Sequence, residues 1–194
     1  MDEESRAGLP ILAFADAAAL TLWLAEQPLD HKGIWLKIAK KGAGTASISQ
    51  SEAVDAGLCF GWIDGLINRF DERFYLIRFT PRRPKSKWSL VNVERAEALI
   101  AAGRVQPGGL RQIEAAKADG RWQAAYPPAS RIQVPEDLAD ALAGNAKAAA
   151  RFAQLKSAER YSILYRLHAL SDPQRRRDAI ARFLTALEQD TTPG

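Results

Sequence analysis

The sequence holds one cysteine, one methionine and two histidines in 194 residues. The lone thiol, Cys59, closes no internal disulfide, and with only His31 and His168 beside it the chain lacks the ligands of a Cys/His zinc site. A chain without disulfides suits a reducing compartment. No apolar run approaches the roughly 20 residues that a membrane-spanning helix needs. The first ten residues, MDEESRAGLP, are acidic and polar, where a secretory signal begins basic and continues apolar. These absences predict a cytoplasmic protein with no membrane insertion. The Walker spacing G-x-x-x-x-G-K-[ST] and the Rossmann G-x-G-x-x-G are both missing, so no nucleotide cofactor is implied, and no metal either.

The chain does contain ample core material, with 47% hydrophobic and 26% charged residues, which excludes general disorder. The net charge of +4 is unevenly placed. Residues 33–90 hold ten Lys and Arg against five Asp and Glu, a net +5; the remainder holds 17 against 18, a net −1. A local excess of this kind favours an anionic partner, although a solvated sheet face gives the same pattern.

Periodicity and punctuation predict an α+β protein: a small antiparallel-containing sheet packed by helices over residues 1–126, then a C-terminal four-helix module over 127–194. Asp16 caps a helix carrying Leu20, Trp23 and Leu24, and Pro28 ends it. Gly33–Lys40 alternates Ile34, Leu36 and Ile38 against Trp35, Lys37 and Ala39, the period of a strand. Ser49 and Glu52 form a capping box that opens a helix over Gln50–Cys59. Trp62–Arg69 and Arg73–Thr80 read as a hairpin turning near Asp71–Glu72. Pro81 and Pro84 bar a central strand beyond it, so Thr80–Trp88 (TPRRPKSKW) is expected as an extended, exposed arm. A helix after Ser89 should turn Val93, Ala96, Leu99 and Ile100 inward, and a helix after Pro107–Gly109 should do so with Leu110, Ile113 and Ala116. Gln123–Pro135 reads as a linker. In the last helix Ile180, Phe183, Leu184 and Leu187 form one apolar stripe after the Asp172–Pro173 start.

Several groups could carry chemistry. Lys40 and Lys41 open a glycine-rich loop before the Ser49 cap, a context for phosphate that equally suits a plain flexible loop. Asp64 lies among apolar neighbours within reach of Arg78 across the hairpin, so it pairs with Arg78 structurally or works as a desolvated acid. Cys59 sits at a helix C-terminus, which does not activate a thiol, and no histidine is tied to it. The strongest partner-binding signal is Arg82, Arg83, Lys85 and Lys87, flanked by Phe79 and Trp88: guanidinium forks suit phosphate or carboxylate, and aromatic faces stack on rings. The expected ligand-binding set is Lys37, Lys40, Lys41, Trp62, Asp64, Arg78, Arg82, Arg83, Lys85 and Trp88. No catalytic residue is assigned.

The blocks GIWLKIAKKG, SEAVDAGLCFGWIDG, YLIRFTPRRPKSKWSLVNVERAEALIAAGRVQPGG, AAKADGRW and VPEDLADAL, in this order, resemble the YdeI/OmpD-associated proteins of bacteria over roughly Gly33–Leu187. Cys59, Phe60, Gly61, Trp62, Asp64 and Gly65, then Arg78, Phe79, Pro81, Arg82, Arg83, Ser86, Trp88 and Asn92, carry the likeness. It implies a part in protection against bacteriocins and cationic antimicrobial peptides, or in envelope stress, and supplies no catalytic residues. The resulting expectation is a non-enzymatic or regulatory protein that binds an anionic small molecule or protein partner. Three rivals stand beside it: an enzyme for a phosphorylated or carboxylated metabolite, with Asp64, Arg78 and Arg82 around one pocket; a nucleic-acid binder; and a protein–protein module exposing Phe183 and Leu187.

Overall fold

Ile34, Leu36 and Ile38 turn to one side of a strand and pack with Leu20 and Leu24 from one helix and Ala53 and Ala56 from another. This core organises the first part of a computed structural model that describes residues 4–28 and 30–191. Its elements are β1 (Ser5–Arg6), β2 (Leu9–Ala13), α1 (Ala17–Ala25), β3 (Ile34–Ala39), α2 (Gln50–Phe60), β4 (Trp62–Arg69) and β5 (Phe74–Pro81), followed by α3 (Leu90–Ala101) and α4 (Pro107–Ala118). The strands form one mixed sheet in the order β1-β2-β3-β5-β4. β2 and β3 run parallel through the α1 crossover, and the other pairs are antiparallel. The chain divides into two compact units, one formed by the residues up to Trp88 together with Asn92–Ala124, the other by Ser89–Val91 and the residues from Ala125 onward.

Local signals account for most of these elements. Asp16 caps α1 by accepting from the Ala19 N–H at 2.9 Å. Ser49 Oγ accepts from Glu52 N, and Glu52 Oε2 accepts from Ser49 N, the reciprocal box that starts α2. The Ser49 side chain and backbone hold the Glu52 carboxyl below the usual carboxylate range. Gly61 ends α2 in the left-handed region at φ 81°, where glycine carries no Cβ penalty.

Sequence reading did not find β1 and β2. Leu9–Ala13 is five residues long and contains Pro10. Its main-chain partner, β3, lies beyond a whole helix, and such non-local pairing leaves no local pattern. Two helical stripes also needed correction. Ile100 and Leu110 are 36% and 37% exposed rather than inward. In α4 the buried positions are Gly109, Ile113 and Ala116. Gly109 stands at the crossing with α2, where a Cβ would lie 2.4 Å from Cys59 O and 2.6 Å from Leu58 O. The same approach brings Gln106 N to Cys59 O at 2.9 Å, so the carbonyl end of α2 satisfies the amide start of α4.

The second unit contains α5 (Glu136–Ala143), α6 (Ala146–Gln154), α7 (Ser157–His168) and α8 (Pro173–Glu188). Leu138, Phe152, Ile163, Leu167, Ile180 and Phe183 belong to one core cluster. Phe183 and Leu187 are 6% and 1% exposed, so these two residues of the α8 stripe pack inside the module, which weakens a protein–protein module built on them. Arg176 forks onto Asp137, with Nη2 2.9 Å from Oδ1, and donates through Nη1 to Leu167 O at 2.5 Å. The Arg176 hydrogen bond holds the Asp137 carboxyl below its ordinary value. A depressed folded-state pKa stabilises above the unfolded value of about 3.9, and that contribution is lost as pH falls through the folded value. Asp137→Asn is therefore expected to flatten the acid limb below about pH 4, as read from urea midpoints across a pH series; an unchanged limb would remove the pair from the acid response.

Candidate functional site

The exit of β5 is exposed at Arg83, Pro84, Lys85 and Lys87, as expected, but it is a turn anchored by buried Arg82 and Trp88 and not an extended arm. Arg82 N donates to Gly61 O at 2.8 Å, tying the chain to the end of α2. The Arg82 side chain then turns inward and is 5% exposed. Its guanidinium carbon lies 3.6 Å from the centroid of the Trp88 ring, and Nη1 donates to Lys87 O at 3.2 Å. A planar cation over an indole face is favourable, and more so when shielded from water. Trp88 is 2% exposed and packs on Trp122 with centroids 4.8 Å apart.

Between these anchors the chain makes a closed turn. Arg83 N donates to Ser86 Oγ, and Ser86 N to Arg83 O, both at 2.9 Å. Arg121 donates from Nη1 to Ser86 O at 2.9 Å while pairing with Asp119 at 2.8 Å. The Arg121 side chain holds the Asp119 carboxyl low, keeping that pair charged. Lys117 lies over the Trp122 ring at 5.2 Å. Arg83, Lys85 and Lys87 are exposed on the turn, and Lys117 is exposed on α4 beside it. Four cations thus stand on one buried Arg–Trp–Trp base. Sequence reasoning missed Lys117, Arg121 and Trp122, because no spacing rule links residue 88 to residue 122.

The other expected site residues lie elsewhere. Lys37 is on the sheet face away from α1 and α2, paired with Glu4 at 3.2 Å and 4.2 Å from the Phe70 centroid. Arg78 shares that face, opposite Trp35. Asp64 is opposite Phe79, on the helix-covered face, and accepts a long contact from Gln50 Nε2 at 3.4 Å. Successive strand residues point to opposite faces, so the expected Asp64–Arg78 pair is not formed. Asp64, Arg78 and Arg82 likewise do not surround one pocket. Trp62 is 4% exposed in the core against Phe79 and Trp23, not a stacking platform.

Lys40 donates to the hairpin-turn carbonyls Asp71 O and Glu72 O at 2.8 and 3.3 Å. Lys41 is exposed in the glycine loop, whose Ala43 O and Thr45 Oγ1 are held by Arg73 Nη2 at 3.0 and 2.6 Å. The start of α2, which a phosphate would need, is occupied by the chain's own Glu52 carboxylate. Burial pushes the Cys59 thiol up from its ordinary value, which suits an inert core cysteine. Among the described residues, no group of three His, Cys, Asp or Glu side chains could hold a metal ion, and no helix is long and apolar enough to cross a membrane.

Residues 12–112, just over half the chain, match the family model described as a domain of unknown function, DUF8412. Residues 131–190 match the model described as "Bacteriocin-protection, YdeI or OmpD-Associated", a distant relation. The resemblance read over Gly33–Leu187 is thus carried by that second model in the C-terminal unit, and the basic turn lies in the first. No curated protein and no solved structure gave a match.

Proposed function

For a chain that belongs to the DUF8412 family and ends in a module distantly related to the YdeI/OmpD-associated proteins, we propose a non-enzymatic cytoplasmic binding protein. Its basic turn engages an anionic partner through Arg83, Lys85 and Lys87, with Lys117 beside them. The observation that carries this reading is the mounting of the turn. Its cations are exposed while Arg82, Trp88 and Trp122 beneath them are buried. A turn fixed by hydrogen bonds at Arg83, Ser86 and Arg121 presents charge with little ordering cost on binding. The partner offers phosphate or carboxylate oxygens, to which charged donors bind strongly. The C-terminal match supports placing this binding in protection against bacteriocins.

Two rivals lose ground. A metabolite enzyme built on Asp64, Arg78 and Arg82 has no shared pocket to work in. A single-strand nucleic-acid binder relies on stacking as well as charge, and both tryptophans that the sequence offered for stacking are buried.

Inorganic tripolyphosphate is a suitable probe. The triple variant Arg83→Ala, Lys85→Ala, Lys87→Ala is expected to bind it at least about tenfold more weakly than wild type, since each lost charged donor contributes about 1.5–3 kcal/mol. Isothermal titration calorimetry reads the difference, and equal affinity in the two proteins would defeat the proposal.

A further inference from the structure

β4 forms one edge of the sheet, and the direction of its main-chain groups follows from the register. Lys40 N donates to Arg73 O at 2.8 Å, in phase with the pairing of β3 and β5. Antiparallel main-chain groups alternate in direction, so Tyr75, Ile77 and Phe79 turn theirs to β3, while Leu76 and Thr80 turn theirs to β4. Ile63 and Asn68 stand opposite Thr80 and Leu76. Trp62, Asp64, Ile67 and Arg69 therefore turn their N–H and C=O groups away from β5. The bond from Arg82 N to Gly61 O, at 2.8 Å, has the same phase. Among the described residues no other strand pairs with β4.

A bulge arranges the side chains along this edge. The β4–β5 register shifts between Asp64 and Ile67, which flips the face of every residue beyond it. Asp64, Ile67 and Arg69 stand opposite Phe79, Ile77 and Tyr75, so all three lie on the helix side of the sheet. Without the bulge Asp64 and Arg69 would lie on opposite faces. Ile67 is 56% exposed, and Leu66 in the bulge is 67% exposed. The contact from Gln50 to Asp64 is long, at 3.4 Å. The exposed Arg69 side chain makes no hydrogen bond or ion pair among the described residues. With the bulge taken as one position, Ile67 stands midway between Asp64 and Arg69. A second copy laid antiparallel, with the twofold axis at Ile67, sets the two Ile67 side chains together. It also sets each Asp64 opposite the other copy's Arg69.

We propose that β4 pairs with β4 of a second copy, joined by the outward main-chain groups, the Ile67 contact and two Asp64–Arg69 ion pairs. Such a contact is self-complementary and closes at a dimer. The opposite edge of the sheet, β1, is two residues long and gives a further copy little to pair with. One strand edge is a small interface, so the dimer is a weak, reversible one. It does not depend on the basic turn or on anion binding.

Sedimentation velocity of the full-length protein over a concentration series up to about 1 mM should show a dimer with a dissociation constant of about 0.1 mM. Asp64→Arg and Arg69→Asp each set like charges opposite one another at both pairs. Either change alone should weaken self-association at least about tenfold. An equimolar mixture of the two variants restores both pairs in the mixed dimer and should recover near wild-type affinity. Asp64 is half-buried, so Ile67→Lys, which sets like charges at the axis, is a second disruption that leaves it untouched. Thermal midpoints show which variants are folded. Three results would overturn the proposal: a monomer at every concentration, an Arg69→Asp or Ile67→Lys protein that associates like wild type, or a mixture of folded charge variants that associates no more tightly than either alone.

Discussion

Gly109→Ala is expected to destabilise the protein by about 2–3 kcal/mol, although the same change in an ordinary helix interior stabilises by about 1 kcal/mol. The reversal comes from what the new methyl would meet. A Cβ at Gly109 would lie 2.4 Å from Cys59 O, 2.6 Å from Leu58 O and 2.8 Å from Val105 Cγ1. Two of these atoms are backbone carbonyls at the end of α2, so no side-chain rotation clears them. Moving α4 away would lengthen the 2.9 Å bond from Gln106 N to Cys59 O and open the packing of Gly108 against Phe60 O, also 2.9 Å from an added Cβ. Gly144→Ala is the control. Its Cβ would meet nothing closer than 3.7 Å, so it should be neutral or slightly stabilising. Urea midpoints of the three proteins decide the matter, and a Gly109→Ala protein as stable as wild type would refute the close crossing of α2 and α4.

Trp88→Ala carries the largest expected loss, about 3–5 kcal/mol for a buried aromatic. Trp88 touches both neighbours that define the base: the Arg82 guanidinium at 3.6 Å and the Trp122 ring at 4.8 Å. Truncation opens a cavity and also strips the π face from a cation that is 5% exposed. Removing one partner of a buried charge costs more than the contact itself is worth. Trp88→Phe keeps an aromatic face and should fall between the two. Arg82→Lys should not substitute for arginine, because an ammonium is a point charge that neither stacks flat nor forks. Denaturant unfolding gives the stabilities. Tripolyphosphate affinity measured on the folded Trp88→Phe protein separates presentation of the turn from stability. A Trp88→Ala protein within about 1 kcal/mol of wild type would contradict the buried base.

Legibility in the sequence followed the range of the interactions. Asp16, the Ser49–Glu52 box and the Asp172 cap act within four residues, and each start was read correctly from them. The β3 alternation and the hairpin are likewise local patterns, and the α+β architecture follows from them. β2 was missed because its pairing partner lies across α1. The exposed middle of the arm was read correctly, but its buried anchors Arg82 and Trp88 were not, because proline counts against a central strand and says nothing about burial. Arg82 is buried by a tryptophan six residues on and a helix end farther still. The same cause explains the site. The sequence located the charge excess but treated Lys37, Lys40, Arg78 and Arg83 as one surface, whereas the register of β3 against β5 keeps Lys37 and Arg78 together on one sheet face, Lys40 is spent on the hairpin turn, and Arg83 lies beyond the end of β5. The turn keeps Arg83, Lys85 and Lys87 together, and Lys117 joins them through Trp122, which packs on Trp88.

The basic turn is tested most directly by comparing two triple variants with equal loss of charge. One removes Arg83, Lys85 and Lys87; the other removes Arg175, Arg177 and Arg182, all exposed on α8. Both become alanine, and both are titrated with tripolyphosphate over a salt series alongside wild type. A built site predicts that only the first variant loses affinity, by at least about tenfold, and that its remaining binding falls less steeply with salt. Equal losses in the two variants would show attraction to net charge alone and contradict a binding site at the turn.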